Sequence, residues 1–158
     1  MNDKTMIDKT TIREQLDKGK PVITYTSGRS MEPLLYEHET YVVIQSIPML
    51  VGKKAELRIG ELPIYLRPDG KYVIHRIIAI TEDCYITRGD HCITSEKVPK
   101  EWVLGVVRQI NRKGHLIQVT DRGYRLYVWF WIVNYPLRWC WFQLKRAGRK
   151  LFAVVKKD

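Results

Sequence analysis

Residues 72–90 read YVIHRIIAITEDCYITRGD. β-Branched and aromatic residues fill 72–80 and 84–87, and polar residues separate the two runs. Short apolar runs divided by turn-forming residues are typical of β-strands. We therefore predict two strands here, with His75 inside the first and Asp90 just beyond the second.

Similar short runs recur on both sides of this stretch. The remaining predicted strands cover residues 22–26, 41–44, 62–66, 103–110 and 116–120. Turn signals lie between several of them, such as the Pro68-Asp69-Gly70 sequence. This pattern favours a mainly β fold, an antiparallel and partly closed structure, over alternating β-α-β units.

The chain divides into three predicted regions. Its 158 residues suffice for one domain with a hydrophobic core. Apolar residues at helical spacing over 7–18, with Gly19 after them, predict a short helix within an N-terminal region 1–20. A β domain is expected over 21–120, followed by a basic, aromatic, helical appendage over 121–158.

The appendage differs from the rest of the chain in composition and charge. Residues 124–158 hold 10 of the 17 aromatic residues, and 121–158 carry nine basic and two acidic groups, +7 of the net +10. We predict one or two amphipathic helices there, with one apolar face formed by Leu137, Trp141, Leu144, Gly148 and Leu151. Because the charge is local, we expect no nucleic-acid groove across the domain.

Other residue types narrow the chemistry. The three cysteines, Cys84, Cys92 and Cys140, form no Cys-x-x-Cys pair, which argues against a disulfide framework and fits a reducing compartment. No His or Cys spacing predicts a metal site, and no cofactor is expected. Residues 1–20 lack an apolar stretch, so we predict neither a cleavable signal nor an N-terminal anchor, and a cytoplasmic or peripheral membrane location.

Three residues have the chemistry of a nucleophile, a base and an orienting carboxylate: Ser30, His75 and Asp90. Ser30 lies in a turn where Gly28 permits a tight backbone, which could direct amide N–H groups toward a substrate carbonyl. Each residue taken alone is also compatible with an ordinary structural role. Glu96 is a second choice for the orienting acid.

The order and spacing of five segments resemble those of the type I signal peptidases and the related LexA-like self-cleaving peptidases. Residues 27–34 (SGRSMEPL) resemble the nucleophile box, and 74–77 (IHRI) resemble the base box in its histidine form. The other three matching segments are 60–65 (GELPIY), 87–90 (TRGD) and 103–107 (VLGVV).

The resemblance implies a signal peptidase-like or LexA-like β fold and a serine endopeptidase that processes a leader or signal peptide. It implies Ser30 as nucleophile, His75 as base, Asp90 as orienting acid, and a turn of Gly28, Arg29 and Ser30 with the Ser30 amide in the oxyanion hole. Substrates would be extended peptides, often cut after small residues. In histidine-type relatives an acid several residues after the Gly-Asp pair is sometimes the third member, which keeps Glu96 open.

The sequence departs from the family pattern in several places. Glu61 stands where relatives usually have aspartate, and Gly28 stands where some relatives have a serine that donates to the oxyanion. The pair His38-Glu39 replaces a common Gly-Asp. Typical signal peptidases also have an N-terminal membrane anchor, and residues 1–20 predict none.

The sequence leaves open whether residues 124–152 contact a membrane. The stretch 126–144 is apolar and aromatic, but it contains Asn134, Pro136 and Arg138. An arginine in mid-membrane costs about 2.5–3.5 kcal/mol on insertion scales. The segment could span a bilayer, lie on an anionic membrane surface, or pack on its own domain or a partner.

Other functions also remain open. A non-catalytic module with the same fold could hold extended peptides by β-addition. A hydrolase of small acyl esters is chemically feasible, since a triad does not choose its substrate. A LexA-like repressor would need a helix-turn-helix, for which the 20 residues before the first strand are too few.

Overall fold

The computed structural model describes residues 9–50 and 53–144. The first element is helix α1 (Lys9–Asp17), so the predicted N-terminal helix is confirmed within the described residues. Ile7, the predicted start, lies outside them. Ile12 and Leu16 are buried against the sheet, which explains their helical spacing.

The fold is mainly β, as the sequence predicts, with antiparallel sheets that form a curled half-barrel. The strands are β1 (Val22–Tyr25), β2 (Thr40–Ser46), β3 (Met49–Leu50), β4 (Lys53–Lys54), β5 (Pro63–Leu66), β6 (Tyr72–Ile74), β7 (Arg76–Ile80), β8 (Cys84–Arg88), β9 (Glu96–Pro99), β10 (Val103–Arg112) and β11 (His115–Gln118). A short 3₁₀ helix, Lys100–Trp102, joins β9 to β10.

The large sheet has the order β1-β2-β10-β5-β6. The long strand β10 is its centre: it pairs with β2 on one side, and with β5 and then β11 on the other. Strands β1 and β6 are its two edges. Each edge strand is followed along the chain by a candidate site residue, Ser30 after β1 and His75 directly after β6.

His75 lies at the point where the chain changes sheets. β6 pairs with β5 in the large sheet, whereas β7 pairs with β8 in a separate three-stranded sheet of order β7-β8-β9. The prediction of one continuous strand over 72–80 is therefore wrong at His75, which belongs to neither strand. The apolar composition continues through the break, so composition alone does not reveal it.

The core has two clusters, and the candidate site lies where they meet. One cluster packs α1 and the turn after β1 against the large sheet, and it includes Met31, directly after Ser30. The other packs the two sheets together and includes Tyr65 and Ile77, both with no exposed surface. Burying such a side chain stabilises the fold by about 1.5–3 kcal/mol.

Helices follow the last strand, as predicted. Helix α2 (Arg122–Val133) ends at Asn134, and residues 135–144 are again helical. Tyr124 of α2 joins the first core cluster. Gly148 and Leu151 of the predicted apolar face lie outside the described residues. No helix in the described ranges has the length and hydrophobicity that crossing a membrane requires.

Candidate active site

The turn that carries Ser30 is shaped by local hydrogen bonds. Gly28 has a positive φ of 80°, and its amide donates to Glu37 across the loop at 3.0 Å. Beyond Ser30, the amides of Leu34 and Leu35 both donate to the Met31 carbonyl. These contacts, with Met31 anchored in the core, hold Ser30 half-buried at the domain surface.

The loop after β8 holds the backbone of Ser30 from the other side. The His91 amide donates to the Ser30 carbonyl at 2.8 Å. A Cβ on Gly89 would overlap that same carbonyl oxygen, so only glycine allows this approach. The Thr87-Arg88-Gly89-Asp90 sequence therefore positions the serine through Gly89 and through the backbone that follows.

His75 faces Ser30. Its Nε2 lies 3.2 Å from the Ser30 Oγ, and its Nδ1 lies 3.2 Å from the Tyr65 hydroxyl. The His75 side chain is 11% exposed. The structure thus brings together the predicted nucleophile and base, which are 45 residues apart in sequence.

Glu96 is the carboxylate beside His75. Its Oε2 lies 3.9 Å from the His75 Nδ1 and accepts a hydrogen bond of 2.9 Å from the Tyr65 hydroxyl. Arg67 binds both Glu96 oxygens, Oε1 through Nε at 2.7 Å and Oε2 through Nη2. Tyr65 therefore bridges the imidazole and the carboxylate, and Arg67 fixes the carboxylate.

Asp90, the first choice for the orienting acid, is bound elsewhere. Its two oxygens accept hydrogen bonds from Arg76, from Nε at 2.8 Å and from Nη2 at 2.6 Å. Both side chains are almost fully buried. Arg76 also donates to the Gly60 carbonyl and to the Tyr124 hydroxyl. In this geometry the Asp90 carboxylate binds Arg76. The carboxylate near His75 is that of Glu96.

The surroundings change the acidity of the site groups. Burial is the main influence on the His75 pKa and sets it below its ordinary value, although Glu96 acts to raise it. Partial burial would raise the Glu96 pKa, but hydrogen bonds from Arg67 and Tyr65 outweigh it, so that pKa is lowered. Burial also raises the Tyr65 pKa, which keeps the hydroxyl protonated. At neutral pH the site therefore holds a neutral imidazole, a protonated phenol and a carboxylate.

The helices after residue 121 contact the loop that supports Ser30. Tyr127 donates to the Asp90 carboxylate at 3.1 Å, and Trp131 and Arg138 donate to the Asp90 carbonyl. Tyr135 donates to the Ile93 carbonyl at 2.7 Å. The loop is thus held between the β domain and the helices.

A separate groove of about 790 Å³ runs between α2 and residues 55–62. Its lining includes Leu57, Ile59, Val128 and Trp129, and it does not include Ser30, His75 or Glu96. Ser30 instead lies in the exposed turn that follows the edge strand β1.

From the sequence, Tyr65 and Arg76 were placed in matching segments without a role for either, and Arg67 was not singled out. A buried tyrosine usually needs a partner for its hydroxyl, and this requirement was the available signal for Tyr65. No sequence feature showed that Tyr65 and Arg67 lie beside Glu96. Among the described residues, no group of three or more His, Cys, Asp or Glu side chains could hold a metal ion.

Comparison of the chain with protein-family models, curated proteins and solved structures gives no match.

Proposed function

We propose that this protein is a serine endopeptidase of the signal peptidase-like class, with the related LexA-like fold, that cleaves an extended leader or signal segment. The observation that carries the proposal is the 3.2 Å approach of His75 Nε2 to Ser30 Oγ, with a carboxylate network behind the imidazole. Serine, base and orienting group in hydrogen-bond reach are the parts of an activated nucleophile.

The hydrogen bonds behind His75 support a direction of proton transfer. If His75 Nδ1–H donates to the Tyr65 oxygen and the Tyr65 hydroxyl donates to Glu96, then Nε2 is left as an acceptor for the Ser30 proton. The lowered pKa of His75, caused first by burial, keeps this nitrogen unprotonated at neutral pH. Glu96, acting through Tyr65, is therefore our proposed orienting acid.

The proposed reaction follows from these positions. Ser30 Oγ attacks the scissile carbonyl while its proton passes to His75 Nε2, and His75 returns that proton to the leaving amine. Water then attacks the acyl-enzyme, gives its proton to His75 and releases the new carboxyl end while Ser30 recovers its hydroxyl. We assign the Ser30 amide as an oxyanion donor from the resemblance to the family. The contacts from Gly89 and His91 fix the carbonyl of the same residue.

The sheet edges support an extended peptide as substrate. β6 ends directly before His75 and β1 leads into the turn that carries Ser30, and each is an edge strand that can pair with an added strand. Ile23 and Tyr25 of β1 are more than half exposed and offer an apolar surface beside such a strand. The same edges favour the second candidate function, a non-catalytic module that binds peptides by β-addition.

Labelling with a fluorophosphonate probe separates the two functions. The enzyme should form a covalent adduct at Ser30 with loss of fluoride, identified by peptide mass spectrometry. Ser30→Ala should abolish labelling, and His75→Ala should slow it by roughly 10²- to 10⁴-fold, as expected for loss of the general base.

Two exposed residues of the same types provide matched controls, Ser27→Ala in the same turn and His115→Ala on β11. Both should label at the wild-type rate. A protein that does not label, or that labels equally fast without His75, would contradict the peptidase and favour the binding module.

A further inference from the structure

The helices after residue 121 have two chemically distinct faces. We call the exposed apolar stripe the outer face, and each of its side chains is more than half exposed. It consists of Leu126, Trp129, Phe130, Val133, Leu137 and Leu144. Apart from the adjacent pair Trp129 and Phe130, successive members are three, four or seven residues apart, which places them along one side of the helices.

The opposite face is fixed to the β domain. Tyr127, Trp131 and Tyr135 direct their polar atoms to the loop after β8, with hydrogen bonds of 2.7–3.2 Å. The Arg88 guanidinium lies over the Tyr135 ring at 3.3 Å. These contacts hold one face against the domain and leave the outer face exposed along the protein surface, where Trp129 and Val133 also border the groove beside residues 55–62.

Charge indicates what covers the outer face. Arg122 and Arg125 are exposed at the start of α2, and the sequence from 145 to 158 adds six basic residues and one acidic residue. A second copy would bring the same positive charge and be repelled. Tryptophan, phenylalanine and leucine on one face, in a basic segment of the sequence, suit the boundary between headgroups and acyl chains of an anionic bilayer.

We propose that the outer face docks this protein in the plane of an anionic membrane surface. The binding itself does not depend on the proposed catalysis. Phe142 contacts the His91 ring at 6.2 Å between centroids, and the His91 amide binds the Ser30 carbonyl. If the proposed peptidase function holds, docking would bring Ser30 to peptide segments at the membrane surface.

Vesicle flotation with the full chain tests the docking. We expect binding to vesicles of phosphatidylcholine and phosphatidylglycerol, weaker binding to phosphatidylcholine alone, and a loss of affinity as salt is added. Replacing Leu126 and Trp129 by serine should weaken binding at least about tenfold, because two side chains no longer enter the apolar layer. Arg122→Gln and Arg125→Gln should each weaken it by about fivefold.

The matched control is Leu116→Ser on β11, which removes an exposed apolar side chain that is not part of the outer face. It should bind like wild type. An equal loss in the control, or no binding to anionic vesicles, would overturn the proposal. Concentration-dependent dimerisation without lipid, abolished by the Leu126 and Trp129 changes, would instead assign the face to a second copy. Fluorophosphonate labelling of the same variants tests the catalytic proposal independently of vesicle binding.

Discussion

His75 and Arg76 are neighbours in sequence, yet they belong to two different networks. His75 faces Ser30, Tyr65 and the partly exposed Glu96, whereas Arg76 points into a buried pair with Asp90. The two carboxylates differ in the same way, since the Glu96 side chain is 28% exposed and that of Asp90 is 2% exposed. In the proposed function the His75 network supports the chemistry, whereas the buried pair of Arg76 and Asp90 holds the loops in place.

The largest effect should come from breaking the buried pair. Asp90→Asn leaves Arg76 as an uncompensated buried charge, so we expect it to lower the free energy of unfolding by about 3–5 kcal/mol. Urea denaturation followed by circular dichroism measures this loss. The double change Arg76→Met with Asp90→Leu should cost less than Asp90→Asn alone. A stable Asp90→Asn protein that labels about 10⁴-fold more slowly would instead make Asp90 the orienting acid.

Glu96→Gln should show the opposite pattern: Ser30 should be labelled slowly while the protein stays stable. We expect the rate of Ser30 labelling to fall by about 10- to 100-fold, since hydrogen bonds to charged groups contribute about 1.5–3 kcal/mol. Tyr65→Phe breaks the same chain one step earlier and should cost about tenfold, as for a neutral hydrogen bond. An unchanged rate in both variants would remove Glu96 from the mechanism.

Gly89→Ala tests how closely the loop after β8 approaches Ser30. The added methyl group overlaps the Ser30 carbonyl, and overpacking of this kind costs about 1–3 kcal/mol. We expect slower Ser30 labelling and a lower melting temperature. Gly123→Ala is the control, because a Cβ there meets nothing within 4 Å and the position is helical. Similar behaviour of the two variants would contradict the positioning role of Gly89.

The smallest effect is a shift in the pH dependence of labelling. The rate should rise with pH through the His75 pKa, below the usual value of about 6.5, because burial disfavours the imidazolium and the neutral form is the base. Glu96 raises and Arg67 lowers this pKa. Glu96→Gln should therefore move the acid limb to lower pH, and Arg67→Gln should move it to higher pH. Shifts in the same direction would disprove this electrostatic picture.

Much of the fold could be predicted from the sequence, because strands depend on local composition. The predicted runs at 22–26, 41–44 and 84–87 overlap β1, β2 and β8, with ends that differ by one or two residues. The short strands β3, β4 and β9 were missed, since sequences such as Glu96–Pro99 have little β propensity. β9 forms because its pairing with β8 overrides that local preference.

The candidate site was predictable in its residue types and only partly in its arrangement. Glycine and proline around Ser30 mark a shaped turn, and a histidine in an apolar run is an unusual polar residue in such a setting. The two carboxylates were not separable by sequence, because both follow β8 within eight residues. Their roles depend on where the loop turns and on which side chains it meets.

The sequence by itself determined the β character of the chain, the aromatic and basic segment at its end, and the types of residue available for chemistry. These properties follow from composition and short-range spacing, which act within a few neighbouring residues. Only the tertiary structure decided that the chain changes sheets at His75, that Tyr65 lies between His75 and Glu96, and that Arg76 binds Asp90. Each of these depends on strand register and burial, which bring together residues 10 to 45 positions apart.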